Sequence, residues 1–211
     1  MPRPAALEAG GATWAPVRQT TFARERPSPD ASIVTRLERR TPEGTTNLVL
    51  VLGRERDRTG GIWVHARLPV LPNKRTGWVP REALGGYNVV DTHLVVDLGR
   101  LTATLLRASL PVFRARIGIG EAAWPTPKGK FYIRNRLTDY ESPFYGPLAF
   151  GTSARSAVLT DWPDGGFVGI HGTNQPELLP GRVSHGCIRM RNEDILELGR
   201  LMPVGTPVTI R

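Results

Sequence analysis

The sequence predicts a mostly-β protein of two domains, with one clear helix near its C-terminal end. Three observations carry that expectation. Apolar stretches are short and broken by turn residues, and Gly (23) and Pro (19) together make about a fifth of the 211 residues without collecting in one tract. The β pattern that begins at Thr13 runs out near Leu84 and restarts at Asp91, with Gly85-Gly86-Tyr87-Asn88 as a hinge between. Helical periodicity is clearest after Asn192.

Residues 1–12 are small and featureless and read as a flexible lead-in. Residues 13–86 read as a small β-barrel module of about five strands: Ile33-Val34, Leu48 to Leu52, Ile62 to Ala66 and Gly77 to Pro80 are its clearest members. Gly60-Gly61 and Pro72-Asn73 mark turns. Trp63-Val64 on one strand, then a turn, then Gly77-Trp78-Val79-Pro80 resembles a bacterial SH3-type domain, a module that binds peptides or cell wall or braces a neighbour. Both tryptophans can equally be core.

Residues 87–211 make the second domain. His93–Leu98 and Leu101–Leu106 form a hairpin across Gly99-Arg100. Val112–Ile119 is read as one strand, and Lys130–Arg134, Gly166–His171 and Val208–Ile210 as later ones. In the helix Asn192 is the expected cap, Glu193 and Asp194 suit the first turn, Ile195, Leu198 and Met202 share a face, and Pro203 ends it.

Composition narrows the partners. A hydrophobic fraction of 40% and a charged fraction of 22% suit a soluble domain with a real core. The net charge of +9 favours an anionic partner. Zinc-finger spacing, helix-turn-helix pattern and aromatic-rich RNA-binding signature are all missing, so nucleic acid is not expected. No apolar run approaches the ~20 residues that span a bilayer, and Met1-Pro2-Arg3-Pro4 opens without an apolar export core.

The chemistry concentrates in Ile170-His171-Gly172-Thr173 and Ser184-His185-Gly186-Cys187-Ile188-Arg189, which bring two histidines close to the sole cysteine. A lone cysteine is ordinarily packing, and its neighbours decide otherwise here. Thiolate is the nucleophile, and an adjacent imidazole either takes the thiol proton or, once charged, stabilises the thiolate. The imidazole needs its other nitrogen held, by a carboxylate or a backbone carbonyl. Gly186 permits close backbone approach, so the amides around Gly186 and Cys187 are the expected oxyanion donors.

These two segments, with Thr126-Pro127-Lys128-Gly129-Lys130-Phe131 upstream and the hairpin bearing Val95 and Asp97, resemble the L,D-transpeptidase catalytic domain of YkuD type over about residues 91–211. The resemblance implies a β-sandwich domain with Cys187 as nucleophile and His171 as general base. It implies that the Gly172 carbonyl orients that imidazole, and that His185 and Gly186 line the oxyanion site and pocket. Ser184 and Arg189 stand at motif positions, Arg189 either ordering the loop or meeting a substrate carboxylate. The implied substrate is the stem peptide of peptidoglycan. Cys187 attacks the bond before a terminal D-Ala, and a second stem's amine resolves the thioester into a 3→3 cross-link. Carbapenems would acylate Cys187. No cofactor is implied, and the implied location is extracytoplasmic, where the basic surface can also meet anionic wall polymers.

Other readings fit less well. With water as acceptor the same site is an L,D-carboxypeptidase. Papain-like wall peptidases, which also carry SH3-type modules, place cysteine before histidine, whereas His171 precedes Cys187. A structural zinc wants four ligands, usually with a paired cysteine, so no metal site is assigned. A wall-binding protein with an inactive catalytic domain would not need the intact motif. His65 and His93 carry no partner signature, and Trp124 is assigned to the core.

Overall fold

The computed structural model describes residues 11–138, 143–159 and 166–211. Most of the expected lead-in therefore lies outside the described residues, and Ala12 already belongs to a strand.

Seven strands form the N-terminal sheet: β1 (Ala12–Pro16), β2 (Thr21–Arg24), β3 (Ile33–Leu37), β4 (Leu48–Arg56), β5 (Ile62–Arg67), β6 (Thr76–Pro80) and β7 (Asn88–Val90). They pair antiparallel in the order β3-β2-β6-β5-β4-β1-β7. The sequence suggests a hinge at Gly85–Asn88, but the segment is tied down. Gly85 N–H donates to Pro16 O at 2.8 Å, and β7 bonds to β1. β7 thus joins the first sheet, although its residues fall in the stretch expected to open the second domain.

Strand β4 shows why its apolar run does not alternate. Val49 and Val51 enter the core of the N-terminal sheet, with Val64, Ala66 and Val79. Leu48 and Leu50 point the other way, into a cluster with Val90 and the fully buried Tyr132 of the second domain. A strand buried on both faces needs apolar residues at every position.

The second domain holds β8 (Thr92–Asp97), β9 (Thr102–Arg107), β10 (Leu110–Arg116), β11 (Gly118–Gly120), β12 (Gly129–Leu137), β13 (Ala149–Arg155), β14 (Phe167–His171), β15 (Gly181–Ser184), β16 (Ile188–Arg189), α1 (Asn192–Leu201) and β17 (Pro207–Ile210). The strand order is β10-β9-β8-β17-β12-β13-β14-β16-β11-β15. The first half of β12 bonds to β17 and its second half to β13, so this long strand joins two halves of a sandwich. Both halves feed one core: Leu94, Leu105 and Phe113 from one, Phe150, Ile170 and Ile188 from the other, closed by Ile195 and Leu198 of α1 and by Met202 just after it. Helix α1 has the expected apolar face, and Pro203 follows its end.

The single strand expected over Val112–Ile119 is two. The chain breaks at the fully buried Ile117 and crosses to the far edge, where β11 pairs parallel with β15 and antiparallel with β16. Gly118 packs closely there, since a Cβ would lie 2.6 Å from Leu179 Cδ2.

Polar contacts also join the domains. Arg134 on β12 pairs with Glu43 at 2.7 Å, with side chains 2% and 10% exposed. Asn135 Nδ2 donates to the same carboxylate at 3.0 Å. Asn73 exchanges two hydrogen bonds with the backbone of Arg155, and Tyr132 donates its hydroxyl to Leu48 O at 3.2 Å. Among the described residues no helix is long and apolar enough to cross a membrane.

Candidate active site

Strands β14 and β16 run parallel side by side, with His171 and Arg189 as register partners and Ile170 beside Ile188. The buried isoleucines anchor both strands in the core, so His171 and Arg189 point to the opposite face. Cys187 precedes β16, and its Sγ accepts the Gly169 N–H of β14 at 3.3 Å. Thiol and imidazole lie on either side of Gly169. A Cβ there would sit 3.8 Å from both Cys187 Sγ and His171 Cδ2. Cys187, His171, His185, Ser184 and Arg189 all line one cavity of about 270 Å³, walled by Tyr145 and Phe167.

His171 is buried, and its Nδ1 lies 2.6 Å from Gly172 O. A carbonyl can only accept, so Nδ1 carries the hydrogen and Nε2 presents a lone pair. Burial drives the imidazole down to about 4; the Gly172 bond opposes this and the Arg189 charge adds to it. Burial likewise pushes the Cys187 thiol up, against smaller downward contributions from the Gly169 hydrogen bond and Arg189. Both shifts favour the neutral pair, thiol and imidazole, over thiolate and imidazolium.

The loop between Ser184 and Cys187 is braced internally. Ser184 Oγ donates to Cys187 O at 2.5 Å and accepts the Gly186 N–H at 3.2 Å. Gly186 has φ +113°, which a side chain would resist. Buried Thr126, from the Thr-Pro segment, donates to Gly186 O at 2.9 Å and accepts the Gly120 N–H at 2.9 Å. One hydroxyl thus fastens the Cys187 loop to β11. The Gly186 N–H is thus turned inward, to Ser184 Oγ.

Two further assignments change. Trp124 is not core. It is partly exposed, and its ring centroid lies 4.2 Å from that of exposed His185. Asn192 makes no cap bond, because Arg191 occupies the N-cap position. Its Oδ1 instead accepts the Thr173 N–H at 2.9 Å, while Met190 N–H donates to His171 O at 2.9 Å. These two bonds hold the segment carrying Gly172 against the start of α1.

Sequence reading missed Tyr145, whose ring centroid is 4.7 Å from that of His171, and Gly169. Tyr145 sits in Phe144-Tyr145-Gly146-Pro147, where the Gly-Pro pair marks a turn but nothing indicates its destination. His93 bonds to Thr209 across β8 and β17, and His65 stacks on Trp78, both away from this cavity. Among the described residues no group of three His, Cys, Asp or Glu could hold a metal ion.

The family model for the YkuD L,D-transpeptidase catalytic domain matches residues 91–210. A Bacillus subtilis protein bearing the L,D-transpeptidase name YkuD is 37% identical over 118 residues, which are 56% of this chain and 65% of that protein. The Bacillus licheniformis YkuD is 34% identical over 123 residues, 58% of this chain and 67% of that one. The match thus spans about two thirds of each relative's own length. A solved Enterococcus faecium L,D-transpeptidase mutant is 29% identical, covering 57% of this chain and 49% of that one with a TM-score of 0.46. With more than half of its length matched by the family model, and with Cys187 and His171 meeting in one cavity, this chain belongs to the YkuD L,D-transpeptidase catalytic-domain family.

Proposed function

We propose that the protein is a peptidoglycan L,D-transpeptidase that forms 3→3 cross-links through a thioester on Cys187. The observation that carries this reading is the convergence of Cys187 Sγ and the His171 imidazole over Gly169, with Nδ1 of the imidazole committed to Gly172 O. His171 Nε2 takes the thiol proton as Sγ attacks the carbonyl between the third residue of a stem tetrapeptide and its terminal D-Ala. The tetrahedral intermediate collapses, the C–N bond breaks, and the D-Ala nitrogen takes the proton from the imidazolium. A side-chain amine of a second stem then attacks the thioester, passes its proton to His171 and releases the Cys187 sulfur. Water in place of that amine would make the site a carboxypeptidase. The Cys187 N–H, rather than that of Gly186, is our candidate oxyanion donor, with His185 tilted against Trp124 at the rim.

In this reading the N-terminal sheet, β1 to β7, is an SH3-like module, and residues 91–210, which the family model matches, are the catalytic domain. The substrate places the protein outside the cytoplasm, where its net charge of +9 also suits anionic wall polymers. The test is mass spectrometry after incubation with stem tetrapeptide, using Cys187→Ala as control. A cross-linked dimer lighter by one D-Ala supports transpeptidation, and tripeptide alone supports carboxypeptidase action. No product and no carbapenem adduct would refute both.

A further inference from the structure

We propose that Arg189 receives the free α-carboxylate of the residue that leaves, so that the site selects the carboxyl end of a peptide. This rests on the acyl-transfer reading above and adds the group by which the donor is recognised. Arg189 and His171 are register partners in parallel strands, so the guanidinium rises from the same face as the imidazole and enters the same cavity as Cys187. Bare Gly118 packs against its stem, since a Cβ there would lie 3.4 Å from Arg189 Cβ. That contact helps fix where the side chain points.

What Arg189 does with its donors is the second observation. Its Nε is buried and has no hydrogen-bond partner among the described residues. No Asp or Glu stands among the cavity's described lining residues, and no ion pair among the described residues involves Arg189. A buried N–H left unpaired is costly, and a guanidinium fork matches a carboxylate better than any other common ligand group. It lines the cavity together with both reacting side chains, so a bond held for attack there lies near it rather than at a remote subsite. In a donor attacked at its last peptide bond, the terminal carboxylate lies only a few covalent bonds beyond the scissile carbonyl. A cation next to the nucleophile meets that group on the leaving side. An amide there would offer no charge to pair.

The experiment compares acylation rates for two donors that differ only at the end, a tetrapeptide with free terminal D-Ala and its C-terminal carboxamide. Both are run on the full chain and on Arg189→Lys and Arg189→Met. The expected result is a wild-type preference for the acid of about 10- to 100-fold in kcat/KM. Arg189→Met brings the ratio close to one by losing rate on the acid, and Arg189→Lys falls between. Arg189→Met with the wild-type ratio, or with equal losses on both donors, overturns the assignment while leaving acyl transfer intact. A wild-type chain that acylates with neither donor removes the acyl-transfer reading, and this inference with it.

Discussion

Asn192 Oδ1 accepts the Thr173 N–H at 2.9 Å, so the first residue of α1 holds the segment that leaves His171. A Cβ on Gly172 would come within 2.3 Å of that same oxygen, so the side chain lies directly against the residue whose carbonyl orients the imidazole. Asn192→Ala is expected to cost about 1 kcal/mol of stability and to lower the acylation rate more than it raises KM. Asn192→Asp keeps the acceptor and should retain most activity. Equal kinetic loss in both variants would show that this bond does not serve His171.

Proton transfer during attack predicts the reactivity of Cys187. Its thiol lies above the ordinary range, mainly through burial. Alkylation of Cys187 by iodoacetamide should be slower than that of an exposed cysteine at neutral pH, with its midpoint shifted to higher pH. A midpoint below that of free cysteine would instead reveal a standing ion pair.

His171 also links stability to pH. Its imidazole is held near 4 in the fold and titrates at about 6.5 when unfolded. The unfolded chain therefore binds a proton first as pH falls. The associated stability is fully present above about 6.5 and is lost progressively toward 4, by roughly 3 kcal/mol. Denaturant unfolding of the native chain and of His171→Gln across that window checks this. The variant should lose the corresponding part of the pH slope.

Thr126→Val removes both hydrogen bonds of a buried hydroxyl, leaving Gly120 N–H and Gly186 O unpaired. A loss of about 2–4 kcal/mol is expected, together with slower acylation because the nucleophile loop loses its tie to β11. Thermal melting and the acylation rate with carbapenem read the two effects. Wild-type values for both would refute the role given to Thr126.

Glu43→Ala leaves the Arg134 guanidinium charged and unpaired between the domains. It should destabilise by about 3–5 kcal/mol, whereas Glu43→Ala combined with Arg134→Met should recover part of that loss. A double-mutant cycle in calorimetry measures the coupling, and simple additivity would mean that the pair is not what joins the two domains.

Several of these residues were legible in the sequence for reasons that can be named. Leu48 to Leu52 is long enough and apolar enough to require a buried strand, and Ile195, Leu198 and Met202 recur at helical spacing, so those elements follow from local pattern. The crossing at Ile117 was not legible, because Val112–Ile119 alternates smoothly and the partners of β11, β15 and β16, lie about sixty residues or more further along the chain.

The sequence by itself determined the chemical inventory: one cysteine, two histidines close to it in the chain, and the glycines and Thr-Pro turn that accompany them. It also determined a mostly-β chain with a single clear helix late in its course. Only the tertiary structure decided what each group is beside. Gly169 reveals itself as the residue between thiol and imidazole, Asn192 as a brace for the His171 loop rather than a cap, and Trp124 as a ring neighbour of His185 rather than core. Side-chain period and turn chemistry are local properties of a chain. Strand order, the face shared by His171 and Arg189, and the burial that shifts Cys187 and His171 come from residues distant in sequence, and no local pattern encodes them.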